Sequence, residues 1–178
     1  MCIRDRILAL DQSGSMATSV VYGAIFGSIL SSLKSVKTSL VVFDTEVVDF
    51  TERLHDPVDL LFGTQLGGGT DINKALAYAE KLIISPSDTI LVLITDLYEG
   101  GSERELIRRA ASIKATGVQF ITLLALNDEG TPSYDRRMAG QFSSMDIPSF
   151  ACTPDAFPDL MAAVINKQSL QKFTNQEK

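Results

Sequence analysis

The chain has one histidine, His55, and two cysteines, Cys2 and Cys152. A single imidazole leaves few ways to build a mechanism that needs His as base or acid. No Cys/His cluster offers ligands for structural zinc. No run of about eighteen apolar residues occurs, so no segment reads as a transmembrane helix. Positive charge is in the minority, with 16 Lys and Arg against 22 Asp and Glu and a formal net charge of −6. That balance argues against a nucleic-acid platform. What is present is ordinary for a soluble globular protein: 178 residues, 45% hydrophobic and 21% charged. This is the length of one domain and enough chain to bury a substantial core.

The first residues read differently from the rest. Met1-Cys2-Ile3-Arg4-Asp5 is similar to the translation of a sequencing-library adapter, so residues 1–5 are expected to be an artefact and are set apart from the fold. The domain is then expected over 6–166, with a polar, fraying end over 167–178. Arg4 and Asp5 cancel, so the charge is unchanged. With Cys2 set aside, Cys152 has no partner for an internal disulfide, which fits a reducing cytoplasm.

Hydrophobic patterning alternates between strand and helix. Ile7-Leu8-Ala9-Leu10, Leu40-Val41-Val42-Phe43 and Ile90-Leu91-Val92-Leu93-Ile94 are continuous apolar runs of buried strands. Val47 to Phe50 is less apolar and reads as an edge strand, joined to its predecessor through Asp44-Thr45-Glu46. Further strands are expected over 118–126 and 149–152. Helical spacing appears over 18–33, from Ile72 onward, over 102–116, more weakly over 134–142, and in Phe157, Leu160, Met161, Val164 and Ile165. Ser102 with Glu105 predicts a capping box. The alternation predicts an α/β fold with right-handed crossovers and a mostly parallel sheet. Ligands of such sheets bind at the carboxyl ends of the strands, where strand order reverses.

Three loops at that edge carry oxygen ligands: Asp11-Gln12-Ser13-Gly14-Ser15 after the first strand, Gly67-Gly68-Gly69-Thr70-Asp71 before a helix, and Thr95-Asp96 after the central strand. Hydroxyls and carboxylates without imidazole or thiolate suit Mg2+ or Mn2+. Taken singly, Ser13, Ser15, Thr70 and Asp71 each read as helix N-caps and Asp96 as a turn residue. Their joint occurrence on one sheet edge favours a metal site, with Asp71 alone left as an N-cap. Gly14 is expected to permit the turn between the serines, and the three glycines to permit close approach and unusual dihedrals. The glycines are not a phosphate loop, because no Lys-Ser/Thr follows them. Glu99, Asp128, Glu129, Tyr134 and Asp135 read as solvated loop residues on the same rim. His55 reads as a surface residue and Cys152 as a small core residue.

These residues resemble the von Willebrand factor A (VWA) domain family. Asp11, Ser13 and Ser15 match the first part of its metal-ion-dependent adhesion site, Thr70 the second and Asp96 the third. The likeness runs from Ile7 to Ile165. It implies a Rossmann-like three-layer α/β/α fold with a mostly parallel sheet of about six strands and one antiparallel edge strand. It also implies that Ser13, Ser15 and Thr70 bind Mg2+ or Mn2+ through hydroxyls. Asp11 and Asp96 would act directly or through water, leaving a position open for a partner's carboxylate. Neutral hydroxyls on the ion leave it most of its charge, and hence its attraction for an external Asp or Glu.

The stretches around Leu8 to Met16, Phe43-Asp44, Thr95 to Gly101 and Cys152 to Leu160 resemble bacterial CoxE-like members paired with MoxR-type AAA+ ATPases. That likeness implies a cytoplasmic, non-enzymatic adaptor in complex maturation or metal-cofactor insertion, with an AAA+ ATPase as partner and neither nucleic acid nor membrane. The competing expectation is a metal-dependent hydrolase or phosphatase on the same residues. It lacks a general base other than the motif aspartates.

Overall fold

The computed structural model describes residues 5–16, 27, 37–53, 68–126, 133–151, 156–166, 168–170 and 173. Six strands form one sheet: β1 (Asp5–Asp11), β2 (Lys37–Phe43), β3 (Val47–Asp49), β4 (Thr89–Thr95), β5 (Gln119–Leu124) and β6 (Ser149–Ala151). Their order is β3-β2-β1-β4-β5-β6. All neighbours are parallel except β2 and β3, which form an antiparallel pair. The chain therefore builds outward from β1 to one edge, returns, and builds from β4 to the other. The order reverses between β1 and β4, and the crevice of such a sheet opens at their carboxyl ends. Asp11 ends β1 and Asp96 follows β4, so topology alone brings the two carboxylates to that crevice.

Four described helices follow: α1 (Ile72–Leu82), α2 (Glu103–Ala115), α3 (Arg136–Ser144) and α4 (Phe157–Ile165). Every residue of β4 is buried, as its continuous apolar run predicted. One face of the sheet, with Ile7, Ala9, Leu91, Leu93 and Phe120, packs on Leu76, Ala110, Met138 and Phe142 of α1 to α3. The other face, with Leu8, Leu10, Val42, Val92 and Ile121, packs on Phe157, Leu160, Met161 and Val164 of α4. This is the expected three-layer arrangement. Of the helix expected over 18–33, only Gly27 lies within the described residues; it is helical and sits over Leu40. The short helix expected at 56–61, His55, Cys2, Cys152, Asp128 and Glu129 lie outside them. None of the described helices is long and apolar enough to cross a membrane.

Local signals set the helix starts. Asp71, Ser102 and Asp135 are N-caps, accepting from the backbone N–H of Lys74, Glu105 and both Arg137 and Met138 respectively. Only the Ser102 half of the expected capping box forms, because the Glu105 carboxylate pairs with Arg108 at 2.5 Å instead of turning back to the Ser102 N–H. Gly117, at φ +97°, ends α2 in a conformation that L side chains rarely adopt.

β1 and β2 both extend toward their N-termini beyond the apolar runs. Asp5 pairs with Lys37 and Thr89, and Arg6 with Thr38 and Ile90. Arg6 is only 3% exposed, and its Nε and Nη1 have no hydrogen-bond partner. Burial pushes its guanidinium pKa down. Buried N–H groups without an acceptor are destabilising. Arg6→Leu is therefore expected to raise the unfolding free energy by about 1–3 kcal/mol, read as a shifted denaturant midpoint at constant slope. An unchanged or lowered midpoint would show that the guanidinium is satisfied.

Candidate functional site

Asp11 is fully buried at the end of β1. Its Oδ1 accepts from the Ser13 N–H at 2.9 Å, and its Oδ2 accepts from the Thr95 hydroxyl at 2.6 Å. The same hydroxyl accepts from the Leu97 N–H at 3.0 Å. Asp11 thus ties the loop after β1 to the loop after β4. The Oγ atoms of Ser13 and Ser15 lie 3.2 Å apart, Ser13 buried and Ser15 exposed in the 3-10 turn Gly14–Met16. Met16 packs into the core beneath this turn.

The glycine loop meets the first loop through Gly14 N–H to Gly68 O at 3.4 Å. Thr70 is buried, and its carbonyl accepts from the Gly100 N–H at 2.9 Å, which joins the second loop to the third. Asp96 is buried too; its Oδ1 accepts from the Tyr98 N–H at 3.1 Å, and its carbonyl from the Asp135 N–H at 2.8 Å. The three loops carrying Asp11, Ser13, Ser15, Thr70 and Asp96 are therefore hydrogen-bonded to one another at one edge of the sheet.

Two buried carboxylates dominate the electrostatics of this edge. Burial raises the Asp11 pKa to about 6, against the pull of its hydrogen bonds from Thr95 and Ser13, and the nearby Asp96 adds to the rise. Among the described residues no Lys, Arg or His forms an ion pair with either carboxylate. Two buried carboxylates without a countercharge among the described residues, on the edge that also holds the adjoining Ser13 and Ser15 hydroxyls, are a hard-oxygen donor set that fits Mg2+ or Mn2+. No three Asp, Glu, His or Cys side chains gather to hold a metal among the described residues.

The roles of four residues at this edge escaped sequence reasoning. Asp44 directly follows β2, the strand beside β1, and is buried; its Oδ1 accepts from the Glu46 N–H at 2.6 Å and its Oδ2 from the Gly68 N–H at 3.3 Å. Its place at the carboxyl end of a strand, equivalent to those of Asp11 and Asp96, was the available signal. Glu99 and Asp135 are not merely solvated rim residues. Glu99 accepts from the Ile72 N–H at 2.8 Å and the Gly101 N–H at 2.7 Å, and so fixes the start of α1 just beyond Thr70. Burial raises its pKa as well. Asp135 caps α3.

Gly100 is the fourth: a Cβ there would lie 2.6 Å from the Thr70 carbonyl oxygen. By contrast, a Cβ on Gly14 would meet nothing within 4 Å, and no positive φ occurs at Gly14, Gly68 or Gly69. Close approach is realised at Gly68, where a Cβ would lie 2.9 Å from Asp44 Oδ2. Gly67 lies outside the described residues.

Known proteins agree with this architecture. The Escherichia coli (strain K12) protein YehP, itself described as uncharacterized, is 39% identical over 156 residues. That span is 88% of this chain but 41% of YehP, so the chain corresponds to about two fifths of that relative. The VWA protein from Catenulispora acidiphila superposes with a TM-score of 0.69 at 14% identity, covering 92% of this chain and 43% of that one. An aerotolerance-related membrane protein from Bacteroides fragilis gives 0.67 at 16%, covering 93% of this chain and 100% of that one. BatB from Bacteroides thetaiotaomicron gives 0.66 at 15%, covering 92% and 98%. These likenesses in structure concern the fold. The family model for VWA domain containing CoxE-like proteins matches residues 3–161, so with the sheet order and the three joined loops the chain belongs to that family.

Proposed function

We propose that this domain is a Mg2+-dependent protein-interaction module that captures a carboxylate of a partner protein. In this reading Ser13, Ser15 and Thr70 hold the ion through their hydroxyls, with Asp11 and Asp96 acting directly or through water. The ion supplies a local positive charge that attracts an external Asp or Glu. The chain's own residues do the rest: Asp11 and Thr95 lock the first loop to the third, and Gly100 and Glu99 hold the Thr70 loop against it. The observation that carries the proposal is the buried, uncompensated Asp11–Asp96 pair beside the serine hydroxyls.

The partner we propose is a MoxR-type AAA+ ATPase, with the domain as its cytoplasmic, non-enzymatic adaptor in complex maturation or metal-cofactor insertion. Membership of the CoxE-like family supports this reading. A net charge of −6 opposes capture of an acidic group at long range, so attraction must be local to the ion. The test is pull-down of a co-expressed MoxR-type ATPase with and without Mg2+, comparing wild type with Asp11→Ala. Capture is expected in Mg2+ and lost in chelator or in the variant. Equal capture under all three conditions would end the proposal.

A further inference from the structure

We infer that Tyr98 is the specificity-determining contact of this capture site, selecting partner segments whose captured Asp or Glu is flanked by an aromatic or large apolar residue. The inference rests on the metal-capture reading above and adds the partner chemistry that reading leaves open. Among the described residues two large hydrophobic side chains are exposed, Tyr98 at 50% and Ile84 at 74%. Ile84 follows the far end of α1, whereas Tyr98 stands two residues from Asp96, on the loop that carries it.

The backbone is arranged to hold Tyr98 there. Leu97 is fully buried and adopts φ +61°, a left-handed conformation that a non-glycine residue keeps only where its surroundings enforce it. It turns the chain after Asp96 while its side chain is buried in the core cluster that also holds Phe43, Ile72 and Leu93. The Tyr98 N–H donates directly to Asp96 Oδ1. On the other side Glu99 is fixed to Ile72 and Gly101, and Gly100 to Thr70. The half-exposed Tyr98 therefore sits in a stretch whose neighbours are all anchored. An aromatic on an anchored backbone has only two side-chain torsions to fix on binding and offers a broad apolar face.

The surrounding charges narrow the choice. Glu99, Asp71 and Asp135 are each committed to a helix N-terminus on this rim. A second acid beside the captured one would meet like charge, and an aromatic neighbour would meet Tyr98.

Two labelled, end-capped pentapeptides test this: one with Glu between two Phe residues, the other with Glu between two Ser residues. Fluorescence polarisation is read in Mg2+ and in chelator. The wild type is expected to prefer the Phe-flanked peptide about tenfold in Mg2+. Tyr98→Phe should keep the preference. Tyr98→Ser should bind both peptides as weakly as the wild type binds the Ser-flanked one, while its melting temperature still rises with Mg2+. Mg2+-dependent binding of both peptides without preference, or a preference that survives Tyr98→Ser, overturns this inference alone. Binding of neither peptide in Mg2+ overturns the metal-capture reading and this inference with it.

Discussion

In metal-free buffer at neutral pH, Asp11→Asn is expected to melt higher than the wild type and to lose its response to Mg2+. Asp11 is fully exposed in the unfolded chain, where it titrates near its ordinary value of 3.8, and burial raises it to about 6 in the fold. The folded state then binds more protons than the unfolded state between those values, so wild-type stability falls as pH rises from about 4 to about 6. The difference from the variant should be near zero at the acid end. It should grow to about 2–3 kcal/mol above pH 6, or several degrees in melting temperature.

The amide can keep the acceptor for the Ser13 N–H and meet Thr95 with an N–H in place of the second oxygen. Mg2+ reverses the order. An ion that binds only the folded wild type stabilises it by about 2.7 kcal/mol at a hundredfold excess over its dissociation constant, and the variant gains nothing. Differential scanning fluorimetry over pH, with Mg2+ and with chelator, reads both effects. A variant less stable than wild type in chelator at pH 7, or equally stabilised by Mg2+, contradicts the argument.

The second large effect is expected from a single methyl group. Gly100→Ala places a Cβ 2.6 Å from the Thr70 carbonyl oxygen and 3.3 Å from its nitrogen. Both contacts are to backbone, which cannot swing aside as a side chain end can. The clash should cost about 1–3 kcal/mol of stability. It also pushes on the residue that carries the Thr70 hydroxyl, so the Mg2+ concentration needed for half-maximal stabilisation should rise about tenfold or more. Gly140→Ala is the matched control. It lies within α3, a Cβ there meets nothing within 4 Å, and the change should stabilise by about 0.5–1 kcal/mol. Denaturant midpoints and Mg2+ titrations of the pair check this. A Gly100→Ala protein with wild-type values in both would show that the loops can part without cost.

Much of the fold was legible because its signals are local. The run Ile90-Leu91-Val92-Leu93-Ile94 can bury both faces only as a central strand, and it lies between β1 and β5. Val47 and Val48, flanked by polar residues, read as an edge strand, and β3 is the antiparallel edge. Asp71 read as an N-cap and is one. The strands at 37–39 and at Asp5 and Arg6 were missed because their residues carry no apolar run; parallel pairing with the strand alongside, not side-chain propensity, extends them.

The sequence by itself determined the inventory of the proposed site: oxygen-bearing side chains at Asp11, Ser13, Ser15, Thr70 and Asp96, in an order that a doubly wound sheet carries to one edge. The absence of an ion pair to its buried carboxylates among the described residues is, by contrast, a matter of placement, since the chain carries 16 Lys and Arg. Only the tertiary structure decided how the loops are held in register. Thr95 on Asp11, Asp44 on Gly68, Glu99 on Ile72 and Gly100 against Thr70 join residues between 24 and 84 positions apart in three cases, and 30 in the fourth. No local pattern marks such pairs. They form because the strand order 3-2-1-4-5-6 sets distant carboxyl ends side by side, where each buried polar group must find a partner.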